Sequence, residues 1–362
     1  MPSCGEHRRP NKARSCIRTS RRRVMTVAAA APFRGILPRN MLPLGFGSGA
    51  LLSKRRTRRE ALKLLEAAMD CGVTYFDTAR MYGAGRAESI LGELAARKRE
   101  RLVLASKAGI VPQSRALHVR AMGRGIRLLH NVAPSSKNYL PVPSNYLPRF
   151  GAFGLVEFRR SVETSLKELR TDYLDILLLH ECSAADVEET DLIRFLDDLK
   201  REGKVRAVGI ATGMEETVSI LQRHAALFDV VQIPNAIWNM NVRKVPATNR
   251  LVITHSSLTS RFKILLDRLL SHERMAAEWR SLTQVDPRDS TELAHLLLAH
   301  ALNANPDGIV IFFSSNPSNV VANVKSVSSR AIDEKQIAGL NALLARKHVA
   351  EFIDASFRDL SF

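Results

Sequence analysis

The chain has 362 residues, 45% of them apolar and 25% charged, a balance well outside the disordered range. No run approaches the ~18 uninterrupted apolar residues that a membrane helix needs. Four cysteines without CxxC spacing (Cys4, Cys16, Cys71, Cys182) argue against a disulfide scaffold and a zinc module, and fit a reduced, cytoplasmic setting. The net charge of +18 invites a nucleic-acid reading, but residues 1–40 carry ten Arg and Lys against Glu6 alone. About half of the excess therefore belongs to a tail rather than to a folded face, and neither a nucleic-acid nor a membrane partner is expected.

Residues 1–39 read as a basic, disordered N-terminal extension, and 40–362 as a single domain. The Arg-rich, acid-poor start could pass for a transit peptide, and Ser20-Arg21-Arg22-Arg23-Val24-Met25 brushes against a twin-arginine signal. The following apolar run stops at Pro32, short for an export core. A start at Met25 or a plain tail is the simpler reading.

From residue 43 onward, short apolar runs alternate with amphipathic helices. The strand candidates are Leu44–Leu51, Thr74–Asp77, Leu102–Lys107, Leu174–His180, Val205–Ala211, Val230–Ile233, Leu251–His255 and Gly308–Phe313. Rich in Val, Ile, Leu and Phe, they suit strands buried on both faces. Among the helices, Arg58–Cys71 stripes Leu62, Leu65 and Met69 and stops at Gly72. Val156–Leu169 stripes Val162, Leu166 and Leu169, and Leu192–Lys200 closes at Gly203. Asn319–Val327 and Asp333–Lys347 read as closing helices. Eight strands with intervening helices predict an α/β fold, the (β/α)8 TIM barrel. A doubly wound sheet is disfavoured, because Gly45-Phe46-Gly47-Ser48-Gly49 lacks GxGxxG spacing. Residues 110–154, with five prolines, predict a long loop insertion after strand three, and 240–250 a shorter irregular stretch.

Barrel chemistry gathers at the carboxyl ends of the strands. There the chain places Asp77 and Tyr82 after strand two, Lys107 after strand three, His180-Glu181 after strand four, Gln232 on strand six and His255 on strand seven. Each has a bland reading: a structural ion pair, a packing tyrosine, a satisfied core histidine. Convergence from three consecutive strands favours a reactive site, because a buried charge costs several kcal/mol unless paired.

These residues resemble the aldo-keto reductase superfamily. The run Gly72-Val73-Thr74-Tyr75-Phe76-Asp77-Thr78-Ala79, with Tyr82-Gly83 and Glu88-Ser89-x-Leu91-Gly92, is similar to the family signature around its catalytic Asp and Tyr. Ser165-Leu166-x-x-Leu169-x-Thr171-Asp172-Tyr173-Leu174-Asp175, ending at His180, resembles the second signature. Glu202-Gly203-Lys204-Val205-Arg206-x-Val208-Gly209-Ile210 resembles the entry to strand five. The resemblance spans roughly residues 40–330 and implies a nicotinamide-dependent interconversion of an aldehyde or ketone with its alcohol. Tyr82 is then the general acid/base, Lys107 held by Asp77 lowers the phenol's pKa, and His180 orients the carbonyl.

The same resemblance assigns the cofactor contacts to Gly47, Ser48, Asp77, Thr212, Gln232, His255, Ser314, Ser315, Asn319 and Asn323. Ala211-Thr212 replaces the family's Ser-Asn pair, and His255 stands where an aromatic stacks on the nicotinamide. Phe313 and Asn319 occupy the positions of a Lys and an Arg that hold the 2′-phosphate of NADP. NADP(H) is favoured over NAD(H), with helix N-termini and hydroxyls left to bind phosphate. The partner is a small-molecule carbonyl or sugar-like substrate. Residues 108–156 carry six cations and no acid, which points to an acidic or phosphorylated one. Rival readings are a Schiff-base aldolase using Lys107 and a non-catalytic nicotinamide-binding regulatory subunit. Oligomeric state is not legible.

Overall fold

The computed structural model describes residues 36–38, 40–53, 56–114, 116–132, 146–246 and 249–357. Most of the N-terminal extension, with both targeting readings and the Met25 start, lies outside the described residues. Eight parallel strands close into one barrel in sequence order: β1 (Leu44–Gly47), β2 (Tyr75–Asp77), β3 (Val103–Ala108), β4 (Leu174–His180), β5 (Val205–Ala211), β6 (Val230–Pro234), β7 (Leu251–His255) and β8 (Ile309–Phe312). β1 pairs with β8 through Leu44–Val310 and its neighbours, which closes the ring.

The helices are α1 (Arg58–Asp70), α2 (Arg86–Lys98), α3 (Leu117–Val132), α4 (Leu155–Leu169), α5 (Ala184–Glu188), α6 (Thr190–Arg201), α7 (Met214–Arg223), α8 (Ser260–Ser271), α9 (Glu273–Thr283), α10 (Ser290–Ala304), α11 (Pro317–Ser328), α12 (Glu334–Leu344) and α13 (Lys347–Ala355). Local chemistry fixes their ends. Thr57 and Glu60 make a reciprocal capping box at the start of α1, and Asp289 caps α10.

Side chains alternate across each strand, so one parity fills the barrel and the other meets the helices. The inward set Tyr75, Val103, Ala105, Ile176, Leu178, Ala207, Val230, Ile253, Ile309 and Ile311 packs into a single interior cluster. Leu37 and Met41 join this cluster, so packed chain begins ahead of the boundary expected at residue 40. Gly45 is required here: a Cβ on it would lie 2.4 Å from the Tyr75 ring.

Three expectations are corrected. The first strand ends at Gly47 rather than Leu51, because the chain turns at Gly49 and Ala50. The segment 110–154 is not wholly loop: it contains α3, in which Val119 is buried while Met122, Leu128, Leu129 and Val132 are exposed. The closing helix expected over 333–347 ends at Leu344 as α12, and a further helix α13 follows from Lys347, because Arg346 is extended (φ −79°, ψ 127°) between them. The insertion leaves the barrel through a narrow neck. Val111 and Arg149 exchange backbone hydrogen bonds of 2.8 and 3.0 Å, and the Ala152 N–H donates to the Gly109 carbonyl at 2.9 Å.

Candidate active site

The inward parity explains which polar residues meet. Two residues beyond Tyr75, Ala105, Leu178, Val230 and Ile253 stand Asp77, Lys107, His180, Gln232 and His255. All but Gln232, which Pro234 follows on β6, are the last inward position of their strand, so the apolar interior ends in a polar cap at the carboxyl ends. All five line one cavity of about 350 Å³ together with Gly47, Tyr82, Glu181, Thr212 and Phe313.

Lys107 Nζ donates to Asp77 Oδ2 at 2.5 Å, to the Thr78 carbonyl at 3.0 Å and to the Tyr82 hydroxyl at 3.4 Å. Gln232 Nε2 donates to the other Asp77 oxygen at 2.8 Å. Asp77 is thereby held from two sides and Lys107 is aimed at the phenol. Burial pushes the Lys107 ammonium towards neutrality, but Asp77 and Tyr82 outweigh it and hold its pKa above the usual value. The ammonium is thus retained at neutral pH.

Tyr82 differs from the expectation of a lowered pKa. Burial raises the phenol above its ordinary value, with Asp77 and Glu181 adding to the rise and Lys107 opposing it. The phenol is therefore fully protonated at neutral pH, a proton donor by default. His180 lies edge-on to the Tyr82 ring, centroids 6.0 Å apart. Burial, then the charge of Lys107 and the neighbouring His255, lower His180 to about 3, while burial lowers His255 to about 4. Both imidazoles are neutral at physiological pH. His255 Nδ1 shares a 2.7 Å hydrogen bond with the Ser256 hydroxyl.

A second compartment of about 260 Å³ adjoins the first, and Phe313 lines both. Ser314, Asn319 and Asn323 line this outer space with Ser290 and Thr291. No lysine or arginine lines it among the described residues, in keeping with Phe313 and Asn319 at the expected cation positions. Ser315 is not in the lining; its carbonyl instead accepts from Arg56 Nη2 at 3.2 Å. Ser48 is buried with its hydroxyl unpartnered. The Thr212 hydroxyl donates to the Cys182 carbonyl at 2.9 Å, which leaves only its lone pairs for a ligand.

Three neighbours of the site were not singled out from the sequence. Glu88 is wholly buried, accepting from Ser106 Oγ at 2.7 Å and from Arg80 Nη1 at 3.1 Å. This ties α2 and the Tyr82 segment to β3 beside Lys107. Burial raises the Glu88 pKa despite those donors. Arg56 and Glu181 are the other two. Glu88 and Glu181 had a sequence signal, the one in the run Glu88-Ser89-x-Leu91-Gly92 and the other directly after His180; Arg56 had none.

The profile of the aldo/keto reductase family matches residues 43–345. The chain belongs to that family. As an aldo/keto reductase it is similar to a 6-dehydroglucose reductase of Novosphingobium aromaticivorans, 28% identical over 49% of this chain and 50% of the relative. It is also similar to an NADH-specific methylglyoxal reductase of Escherichia coli, 28% identical over 53% of this chain and 52% of the relative. The chain thus matches about half the length of these curated relatives. Among solved structures, an aldo-keto reductase of Klebsiella pneumoniae in complex with NADPH shares the fold at a TM-score of 0.61. It is 20% identical and covers 90% of this chain and 98% of its own. No described helix is long and apolar enough to cross a membrane.

Proposed function

We propose that this aldo/keto reductase interconverts an aldehyde or ketone and its alcohol with a nicotinamide cofactor. The observation that carries the proposal is the Lys107 ammonium, buried, ion-paired to Asp77 and directed at the hydroxyl of Tyr82, with neutral His180 edge-on to the Tyr82 ring in the same cavity. A bound nicotinamide dinucleotide supplies or accepts the hydride. The residues do the rest. Neutral His180 donates an N–H to the carbonyl oxygen and fixes its position against Tyr82. Tyr82 gives its proton to that oxygen as negative charge develops, and the adjacent ammonium stabilises the phenolate left behind. In the oxidising direction Tyr82 must first lose its proton.

The cavity pair fits such a cofactor. Its two compartments fall together within the ~300–1,000 Å³ typical of cofactor sites. The orphaned Ser48 hydroxyl and the Thr212 lone pairs flank the inner compartment's wall, and His255 and Phe313 offer aromatic faces. The Klebsiella structure holds NADPH and the Escherichia coli relative is named for NADH, so we take NADP(H) as the working cofactor and NAD(H) as its competitor. The substrate is a small carbonyl compound of sugar-like type, as in the name of the Novosphingobium relative. Fluorescence titration with NADPH and NADH, beside an aldehyde-reduction assay of wild type and Tyr82→Phe, tests the proposal. Binding without turnover in wild type turns the reading to a regulatory subunit.

A further inference from the structure

Glu181 follows His180 at the end of β4, where its N–H donates to the Ala211 carbonyl at 2.9 Å. It is a non-glycine residue in left-handed backbone, φ +54°. Such a conformation is strained for a residue with a Cβ and tends to persist where function holds it. The turn brings Glu181 to the rim of the cavity, beside Tyr82, His180 and Thr212. Among the described residues no donor reaches its carboxylate.

The charge balance of the cavity lining gives this group weight. Lys107 is the single lysine or arginine among the described lining residues, and its charge is committed to Asp77 at 2.5 Å. Glu181 is then the uncompensated charge facing whatever sits against Tyr82 and His180. Its field already reaches the Tyr82 phenol. The two insertion cations whose side chains are described do not offset it: Arg149 is ion-paired to Glu157, Arg124 is exposed on α3, and neither lines the cavity.

We propose that Glu181 sets the substrate class of the site: neutral carbonyl compounds whose neighbouring hydroxyls donate to its carboxylate, with carboxylated and phosphorylated carbonyl compounds turned away. This reverses the preference implied by the basic composition of residues 108–156. It rests on the reductase reading above. An ionised carboxylate strengthens a hydrogen bond from a substrate hydroxyl. The same charge repels a second anion a few ångströms away through a partly wet rim, an effect of order tenfold in affinity.

The test compares wild type, Glu181→Gln and Glu181→Gly in the full chain. Glycine removes the carboxylate and also suits the left-handed backbone, so a folding defect in one variant does not silence the other. With NADPH, the ratio of kcat/KM for glyceraldehyde over succinic semialdehyde should exceed ten in wild type and fall at least tenfold in both variants, mostly through KM. In parallel, calorimetry should show succinate binding both variants at least tenfold more tightly than wild type. The Tyr82 phenol, followed by its phenolate absorbance in the cofactor-free protein with Tyr82→Phe as the blank, should titrate at lower pH in Glu181→Gln. An unchanged substrate ratio, or equal succinate affinities, overturns the proposal. Loss of all turnover in wild type overturns the reductase reading instead, and the succinate and phenol measurements still decide the role of Glu181.

Discussion

Lys107 stands one inward step above Ala105, the residue in register with Asp77 on the neighbouring strand, and its ammonium reaches back 2.5 Å to the Asp77 carboxylate. The pair is sealed, with Lys107 2% and Asp77 4% exposed. Removing either partner strands a charge in the barrel. Lys107→Met and Asp77→Asn should each lower stability by about 3–5 kcal/mol in urea unfolding. The double variant should lose distinctly less than the sum of the two; simple additivity would mean that the residues do not interact.

Tyr82→Phe deletes the one hydroxyl within reach of Lys107 and leaves the ring against His180. Carbonyl reduction should fall by about 10²–10⁴-fold with cofactor binding little changed. Because burial keeps the phenol protonated, wild-type reduction should be flat from pH 6 to 8, and alcohol oxidation should climb steadily as pH rises. A variant retaining more than a tenth of wild-type turnover would remove Tyr82 as the proton donor.

Stability should decline in mild acid. His180 and His255 have folded pKa values of about 3 and about 4, below the ordinary 6.5. As pH falls through 6.5 the unfolded chain takes up protons that the folded chain refuses, so stability is full above about 6.5 and is lost progressively towards 4 and 3. Between pH 6.5 and 4.5 the two groups together should cost on the order of 2–4 kcal/mol. Denaturant midpoints measured across that range should show a shallower slope in His180→Gln/His255→Gln.

Cofactor choice should rest on a residue from the opposite end of the chain. Arg56 donates to the Leu51 and Ser315 carbonyls, at 2.9 and 3.2 Å, and so brings a cation next to an outer compartment that no described lysine or arginine lines. Arg56→Ala should weaken NADPH binding several-fold more than NADH binding, and the difference should shrink at high salt. Equal losses for both cofactors would assign Arg56 to loop packing alone.

Much of this was readable from the chain itself because buried parallel strands announce themselves as apolar runs, and because a charged residue ending such a run is costly unless employed. β4, β5 and β7 fall where the apolar runs lie, and Asp77, Lys107 and His180 stand at their strands' ends. What escaped depended on spatial neighbours. The helical stretch Leu117–Val132 escaped because it sits in a proline-containing segment whose length reads as loop. Burial of Glu88 follows from Arg80 and Ser106, which are distant in pattern if not in space. The direction of the Thr212 hydroxyl is set by the Cys182 carbonyl, on another strand's loop.

Excising residues 114–146 in favour of a two-residue Asn-Gly link should leave the thermal midpoint within a few degrees, because Val111 and Arg149 already pair across the base of that excursion. A fall of more than ten degrees would show that the barrel leans on the excised chain.

That paired base also makes the molecule modular. A segment entering and leaving through one closed doorway can be lengthened, shortened or exchanged without disturbing the order of the eight strands. Lineages that inherit such a doorway can vary the insertion while keeping the strand-end cavity intact, and an engineer can splice a reporter or a second domain at the same threshold.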